Sequence, residues 1–270
     1  MTPVDVHRGT SPVILGLPHT GTFVPAEIFE RLNEQGKLLT DTDWHVDRLY
    51  DGLLPGVTTV RATFHRYVID ANRDPSGKSL YPGQNTTGLV PVTDFDDRPI
   101  WRAGAAPTDT DVAERLDAFH RPYHAALAAE IARVRALHGV AVLYDCHSIR
   151  SVCPFLFQGR LPDFNIGTNN GQTCAPALET AVADICAAAD GFSHVVNGRF
   201  RGGWTTRHYG KPADRVHAIQ MELTQATHLA SEAPPFDYDP GKARRLRAHL
   251  TEILTRIEAI ASSLTSGDRP

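Results

Sequence analysis

The stretch that decides the fold lies in the middle of the chain and consists of Val140-Ala141-Val142-Leu143-Tyr144-Asp145-Cys146-His147-Ser148-Ile149-Arg150. Its first half is apolar and rich in β-branched residues, which predicts a buried strand. Its second half brings an acid, a histidine and a hydroxyl group to the end of that strand. Because the chemistry of open α/β sheets lies just beyond the carboxyl ends of the strands, the stretch predicts a functional site. Taken alone, it is equally typical of an Asp145–His147 pair that closes a strand by hydrogen bonding.

A second predicted strand also ends in a histidine. Pro12–Leu17 is apolar, and Pro18-His19-Thr20-Gly21 follows it directly. Neutral imidazole is the commonest metal ligand that proteins offer, and a catalytic zinc needs three protein ligands and an open position. His19 and His147 therefore indicate half of a metal site.

The third ligand is expected from residues 41–50, whose sequence is Asp-Thr-Asp-Trp-His-Val-Asp-Arg-Leu-Tyr. Asp43 and Asp47 are at helical spacing, so a helix beginning here would present both carboxylates on one face. We choose Asp47 as the ligand, ahead of Asp43 and His45. The alternative is that these acids cap and solvate the start of an ordinary helix.

The segment Arg66-Tyr67-Val68-Ile69-Asp70-Ala71-Asn72-Arg73 has an apolar middle that predicts another strand with polar residues at its exit. The Asn72–Arg73 pair is well suited to hold a carboxylate, because a guanidinium forms a fork and the amide adds a donor. For Arg73 by itself, a surface salt bridge with Asp74 is the alternative.

Two later segments add charged residues that are candidates for catalysis and substrate binding. Residues 216–223 predict a strand, and Glu222 near its end is a candidate general base; a paired structural glutamate is the alternative. Residues 199–210 hold Arg201 and Arg207 beside two glycines, and a positive loop of this kind attracts an acidic substrate. With Arg73 and Arg150, these arginines fit a dianion better than a neutral peptide.

Other polar residues receive ordinary interpretations. Cys146 should point away from His147, because neighbours on a strand face opposite sides, and we assign it to buried packing. His120 and His124 are one turn apart on a long predicted helix, but no acid accompanies them at the spacing of a zinc-binding helix motif. We interpret both histidines as ordinary helix residues. Lys78–Pro107 is rich in turn residues and predicts a long ordered loop over the site.

Composition narrows the classes of protein. The chain has 270 residues, 41% hydrophobic residues, 21% charged residues and a net charge of −4. We recognise no excess of basic residues that would favour nucleic acid, no signal peptide, and no apolar segment long enough to span a membrane. The four cysteines form no C-x-x-C pair and are expected to be free thiols. We therefore predict one domain over residues 1–270, soluble and cytoplasmic; the chain could be a monomer or a dimer.

Several motifs, in this order, together resemble the N-formylglutamate amidohydrolases. They are Pro18-His19-Thr20-Gly21, Asp43-Trp44-His45-Val46-Asp47, Arg66 to Arg73, Asp145-Cys146-His147-Ser148-Ile149-Arg150, Thr205 to Gly210 and Gln220-Met221-Glu222-Leu223. Each motif is weak alone, whereas the ordered set, which covers residues 10–230, is specific. These enzymes are deformylases that end one route of histidine degradation.

The resemblance implies an α/β fold with a mixed, mostly parallel central sheet and helices on both faces, similar to the zinc carboxypeptidases. It implies that His19 and His147 bind the metal. The carboxypeptidase pattern places a Glu three residues after the first His, where this chain has Thr22. We therefore take the third ligand from elsewhere and choose Asp47.

The implied activity is hydrolysis of N-formyl-L-glutamate to L-glutamate and formate. Glu222 would be the general base, and the Asn72–Arg73 pair would hold a substrate carboxylate. Zinc is the expected metal, although Co, Mn or Fe can share such ligands. Two alternatives remain, namely a zinc deacylase or peptidase with another acyl-amino-acid or cell-wall substrate, and a non-enzymatic protein that binds acidic metabolites.

Overall fold

A seven-stranded sheet forms the centre of the computed structural model, which describes residues 2–80 and 82–264. The strands in chain order are β1 (Val4–His7), β2 (Val13–Leu17), β3 (Thr58–Ala62), β4 (Ala141–Ile149), β5 (Phe164–Gly167), β6 (His194–Val196) and β7 (Val216–Thr224). Their spatial order is β1-β3-β2-β4-β7-β5-β6. The four central strands are parallel, whereas β1 and β5 pair antiparallel to their inner neighbours. The prediction of a mixed, mostly parallel sheet is confirmed.

Helices cover both faces of the sheet. They are α1 (Ala26–Phe29), α2 (Val46–Tyr50), α3 (Asp109–Arg115), α4 (Arg121–His138), α5 (Pro176–Ala188), α6 (Trp204–Tyr209) and α7 (Pro240–Ser263). Val142 and Tyr144 of β4 pack in one core with residues of α2, α5 and α7. Ala141 and Leu143, which point the other way, pack with residues of α1 and α4 in a second core. No helix among the described residues is long and apolar enough to cross a bilayer.

The long helix predicted before β4 is present but has an internal irregularity. A π-turn over Leu116–His120 joins α3 to α4, and Pro122 lies in the first turn of α4. Gly139 ends α4 with a left-handed backbone, at a φ of 74°. This is the conformation that favours glycine after a helix.

Two predicted elements are wrong. Residues 66–73 form no strand but a buried segment without regular secondary structure. Residues 163–171, whose sequence Asp-Phe-Asn-Ile-Gly-Thr-Asn-Asn-Gly predicts a turn-rich loop, contain β5, which pairs with the edge of β7. Both differences have a tertiary cause, because a strand requires a neighbouring strand edge that local sequence does not reveal.

The sheet brings the polar strand ends together. His147 of β4 pairs in register with Glu222 of β7, and Asp145 pairs with Gln220. Residues paired in a parallel ladder project to the same face of the sheet. On the other side of β4 lies β2, and His19 follows its end after one residue.

Candidate active site

Three buried side chains converge at the ends of β2 and β4. Nδ1 of His19 lies 3.2 Å from Nδ1 of His147. Oδ2 of Asp43 lies 3.3 Å from the same atom of His147 and 3.7 Å from Nδ1 of His19. Within the described residues, this is the group of His, Cys, Asp and Glu side chains arranged to hold a metal ion.

The backbone fixes Asp43 between the two strands. Its amide N–H donates to the carbonyl of His19, at 3.0 Å. Its Oδ2 accepts a hydrogen bond from the amide of Ser148, at 3.1 Å. The carboxylate is therefore held from the end of β2 and from β4 at once.

The choice of Asp47 as third ligand is corrected by this geometry. Helix α2 begins only at Val46, and His45 before it has a left-handed backbone with a φ of 60°. Asp43 thus precedes the helix and does not share a face with Asp47. The Asp47 carboxylate is partly exposed and lies 3.3 Å from Arg61, whereas Nε2 of His45 contacts the carbonyl of Phe236.

Each histidine of the group is oriented by a carboxylate behind it. Nε2 of His19 donates to Asp70, at 2.7 Å, and Nε2 of His147 lies 3.2 Å from Asp145. With the proton on each of these outer nitrogens, as in a metal-bound imidazole, the lone pair of each Nδ1 would face Asp43. Carboxylate–histidine pairs of this kind fix the tautomer and raise the basicity of metal-bound imidazoles.

The residues fit a zinc-sized ion. Bond lengths of about 2.0–2.1 Å in tetrahedral geometry place ligand atoms roughly 3.3 Å apart. The three separations here are 3.2, 3.3 and 3.7 Å. Two nitrogen lone pairs and a carboxylate oxygen this close repel one another unless a cation or a proton lies among them.

The electrostatics of the buried groups also favour a cation. Burial alone would lower the pKa of His147, but Asp145 and Asp43 outweigh it and raise that pKa well above its usual range. Burial would raise the pKa of Asp43, yet hydrogen bonds from His147 and His19 hold it well below its usual range. The site therefore stabilises positive charge and keeps Asp43 ionised.

Glu222 is a buried acid in the same cavity. Burial raises its pKa to about 7, although the charge of His147 opposes this shift. Nε2 of Gln220 donates to Oε2 of Glu222, at 2.9 Å, and Oε1 of Gln220 accepts from the amide of Gly203. Gln220 is thus fixed at both ends and holds one oxygen of the Glu222 carboxyl group.

The cavity in front of this group is small, and several arginine side chains line it. Its volume is about 60 Å³, and His19, Asp43, His147 and Glu222 line it. The arginines in its wall are Arg66, Arg73 and Arg199. Since a water molecule needs about 10–15 Å³ by this measure, the cavity suits a small polar molecule.

Of the predicted substrate-binding residues, Asn72 and Arg73 lie in the cavity wall. Oδ1 of Asn72 accepts from the amide of Thr205, at 2.9 Å, and its Nδ2 lies 3.1 Å from Nε2 of His147. Nη2 of Arg73 donates to the hydroxyl groups of Thr86 and Thr87, at 3.3 and 3.0 Å. These threonines belong to the predicted loop over the site.

The other three predicted arginines lie elsewhere. Arg150 donates to Asp96, at 2.9 Å, and Arg201 is exposed and donates to the carbonyl of Gly198. Arg207 donates to the carbonyl of Gly202. None of these three is among the described residues that line the cavity, so a substrate-binding role for them stays a prediction. Residues in loops are placed by tertiary packing, so a high density of arginines in sequence did not reveal which ones face inward.

Sequence reasoning missed Arg66 and Arg199. Arg66 is 6% exposed, and its Nη2 lies 2.7 and 2.8 Å from the two ring nitrogens of His19 and 3.2 Å from Asp70. Arg199 donates to the carbonyls of Leu156 and Asn85, and so joins three loops at the cavity mouth. Arg66 lies in residues 66–73 and Arg199 in residues 199–210, two segments that the sequence analysis singled out. Membership of these segments was the available signal.

Comparison with known proteins agrees with this arrangement. A family model described as N-formylglutamate amidohydrolase matches residues 11–229. An N-formylglutamate deformylase of Pseudomonas aeruginosa is 47% identical over 253 residues, covering 93% of this chain and 94% of the relative. One from Pseudomonas putida is 43% identical over 257 residues, covering 95% and 96%.

The fold is also similar to a solved structure. The crystal structure of N-formylglutamate amidohydrolase from Ralstonia eutropha JMP134 superposes with a TM-score of 0.79 at 26% identity. The superposition covers 99% of this chain and 100% of that one. The similarity therefore extends over almost the whole length of both chains.

Proposed function

Because the chain belongs to the N-formylglutamate amidohydrolase family, we propose that it hydrolyses N-formyl-L-glutamate to L-glutamate and formate. The observation that carries this proposal is the convergence of His19, Asp43 and His147 beside Glu222 in one small cavity with arginines in its wall. The reaction would be the last step of a histidine degradation route in the cytoplasm, as the family resemblance implies.

His19, Asp43 and His147 would hold a divalent metal ion. Two imidazoles and one carboxylate are a ligand set of catalytic zinc sites, although Co, Mn and Fe accept the same donors. When bound, the ion supplies Lewis acidity towards the formyl carbonyl and favours ionisation of water. Asp70 and Asp145 keep the two imidazoles in the tautomer that this role requires.

Glu222 would move the proton. A general base works best when its pKa is near the operating pH, and burial raises the pKa of Glu222 to about 7. In its ionised form it takes a proton from the attacking water, and it returns that proton to the nitrogen of the leaving amine. Because Gln220 donates to Oε2, it keeps the carboxyl group oriented through both transfers.

The arginines of the cavity wall would hold the substrate. N-formylglutamate carries two carboxylates, and each charge-assisted hydrogen bond contributes roughly 1.5–3 kcal/mol. Arg73 beside Asn72 and Arg199 at the mouth are the cations for these carboxylates. Arg66 lies against His19 and is placed to stabilise the charge that develops on the formyl oxygen.

The direct test measures formate release from N-formyl-L-glutamate together with the metal content of the protein. We expect turnover that exhaustive chelation removes and that zinc restores. Full turnover of metal-free protein would overturn the metal-dependent mechanism. Absence of formate release from metal-loaded protein would overturn the function.

One alternative substrate class is tested by the same assay. The small cavity favours a formyl group over a larger acyl group. A panel of N-formyl, N-acetyl and N-succinyl glutamates should therefore show turnover that falls steeply with acyl size. Faster turnover of N-acetyl or N-succinyl substrates would identify a different deacylase.

A further inference from the structure

The segment 66–72 is buried, carries site residues and lacks regular secondary structure. Its backbone carbonyls therefore cannot be satisfied by a neighbouring strand, and a buried carbonyl without a donor is costly. Asp70 in this segment orients His19, while Asn72 and the adjacent Arg73 line the cavity. Whatever satisfies these carbonyls also determines where the three side chains point.

The carbonyls of Val68 and Asn72 accept from Arg115 and Arg73, and two histidines of the long helix supply donors to Ala71 and to the adjacent Arg73. Nε2 of His124 lies 2.7 Å from the carbonyl oxygen of Ala71, and Nε2 of His120 lies 3.1 Å from that of Arg73. Because a carbonyl oxygen only accepts, both Nε2 atoms must carry the proton. The two rings are four residues apart and thus project from one face of the helix. His120 is the last residue of the π-turn, a feature that often occurs at functional sites.

Asn72 lies between Ala71 and Arg73, whose carbonyls accept hydrogen bonds from the two histidines. Its amide N–H donates to Oδ1 of Asp70, at 2.8 Å, and this is the oxygen that also accepts from His19. Its side-chain Oδ1 accepts from Thr205, and its Nδ2 lies beside His147. A shift of this backbone would therefore move the partners of both histidines in the candidate metal centre.

The two rings are themselves held by packing. Their centroids lie 4.4 Å apart, and His124 packs edge-on against Trp204, at 4.6 Å. Nδ1 of His124 lies 3.1 Å from the hydroxyl group of Tyr209. Burial lowers the pKa of His124 to about 3, so its ring is neutral and its single proton resides on Nε2.

We propose that His120 and His124 are positioning residues, which hold the backbone of residues 71–73 so that Asp70, Asn72 and Arg73 face the metal centre and the substrate. This role rests on the proposed hydrolase function for its kinetic consequences only. Neither histidine lines the cavity, so both act through the backbone of residues 71–73, to which they donate hydrogen bonds.

The test compares three variants. His124→Leu keeps the ring's approximate bulk but removes the donor, whereas His124→Gln retains an N–H donor. His208→Leu is the matched control. His208 is exposed and stacks on Trp204 with ring centroids 4.3 Å apart, and among the described residues no hydrogen bond joins it to residues 71–73. Zinc affinity, amide hydrogen exchange of a peptide covering residues 66–73, and KM and kcat for N-formyl-L-glutamate are measured for each variant.

For His124→Leu we expect zinc affinity to fall about 10-fold, the lower end of the effect of outer partners of metal ligands. Exchange in residues 66–73 should become faster, and KM should rise more than kcat falls. His124→Gln should recover most of each loss, and His208→Leu should resemble the wild type.

Unchanged zinc affinity and KM in a folded His124→Leu protein would overturn the positioning role, even if hydrogen exchange becomes faster. Equal losses in His208→Leu would assign the effect to packing around Trp204 and would overturn it as well. If the wild type binds zinc but releases no formate, the proposed function fails. The positioning role is then decided by the zinc affinities and the exchange rates.

Discussion

The candidate site is built from two kinds of backbone. His147 and Glu222 stand on β4 and β7, nine-residue strands that are buried throughout and paired in register. Asp70, Asn72 and Arg73 stand on a segment without a strand partner, in which the carbonyls of Ala71 and Arg73 accept from helix side chains. The strands thus carry the proposed metal ligand His147 and the proposed general base Glu222, whereas the irregular segment carries the residues proposed to orient His19 and to bind substrate.

The comparison shows what fixes the direction of each side chain in the site. On a strand, the alternation of side chains and the ladder register fix the direction of each group. On the irregular segment, direction depends on donors some 50 residues away in the chain. We expect substitutions at the strand ends to abolish chemistry and substitutions in the segment to alter affinity.

The largest effect is expected from Asp43→Asn, which removes the proposed third metal ligand between the strand ends. Turnover should fall to the level of metal-free protein, with loss of bound zinc measured by metal analysis. Asp47→Asn is the matched control, because that partly exposed carboxylate pairs with Arg61. Such surface pairs contribute at most about 1 kcal/mol, so its activity should stay within about 2-fold. Loss of zinc in Asp47→Asn with retention in Asp43→Asn would reverse the ligand assignment.

Next in size is Glu222→Gln, in which the strand geometry stays and only the proton acceptor is lost. General-base removal typically costs about 10²–10⁴-fold in kcat. Zinc content and KM should change little, since Gln can still accept from Gln220. Steady-state kinetics with metal analysis check this, and a loss of less than 10-fold would exclude Glu222 as the base.

The irregular segment is tested by Arg73→Ala. Loss of one charge-assisted contact of roughly 1.5–3 kcal/mol should raise KM about 10- to 150-fold for N-formyl-L-glutamate. The loss should be much smaller for the formylglutamate monoamide that lacks the matching carboxylate. Arg150→Ala, whose guanidinium pairs with Asp96 outside the cavity, is the control with an expected change below about 3-fold. Equal losses on both substrates would remove Arg73 from carboxylate binding.

The smallest effect concerns stability and pH in metal-free protein. The pKa of Glu222 is about 7 in the folded state against 4.5 as the ordinary value, so the folded state binds its proton more tightly. The free energy of unfolding should therefore decrease as pH rises from about 4.5 to 7. Glu222→Gln should remove this contribution, leaving the variant more stable than the wild type at pH 8 by at most about 3 kcal/mol. Denaturant unfolding at several pH values measures the difference, and a less stable variant at pH 8 would contradict it.

The sequence predicted the elements that local patterns determine. Apolar runs located β2 and β4 to within a residue or two, and His19 just after β2 and His147 near the end of β4 both belong to the candidate metal centre. Strand alternation correctly placed Cys146 in the core opposite His147. The wrong predictions share a cause, which is dependence on distant partners. The left-handed backbone at His45 decided between Asp43 and Asp47, and loop packing decided which arginines face the cavity.

By itself, then, the sequence determined a mixed α/β sheet, the strand ends that carry His19, His147 and Glu222, and the ordered motifs that resemble one amidohydrolase family. The strand ends follow from periodicity and residue chemistry, which act over a few neighbouring residues, whereas the mixed sheet was implied by the family resemblance. Only the tertiary structure revealed that Asp43 lies beside His19 and His147, which arginines line the cavity, and that His120 and His124 hydrogen-bond to the carbonyls of Arg73 and Ala71. These depend on where separate segments meet in space, and a hydrogen bond across such a distance leaves no local pattern in the chain.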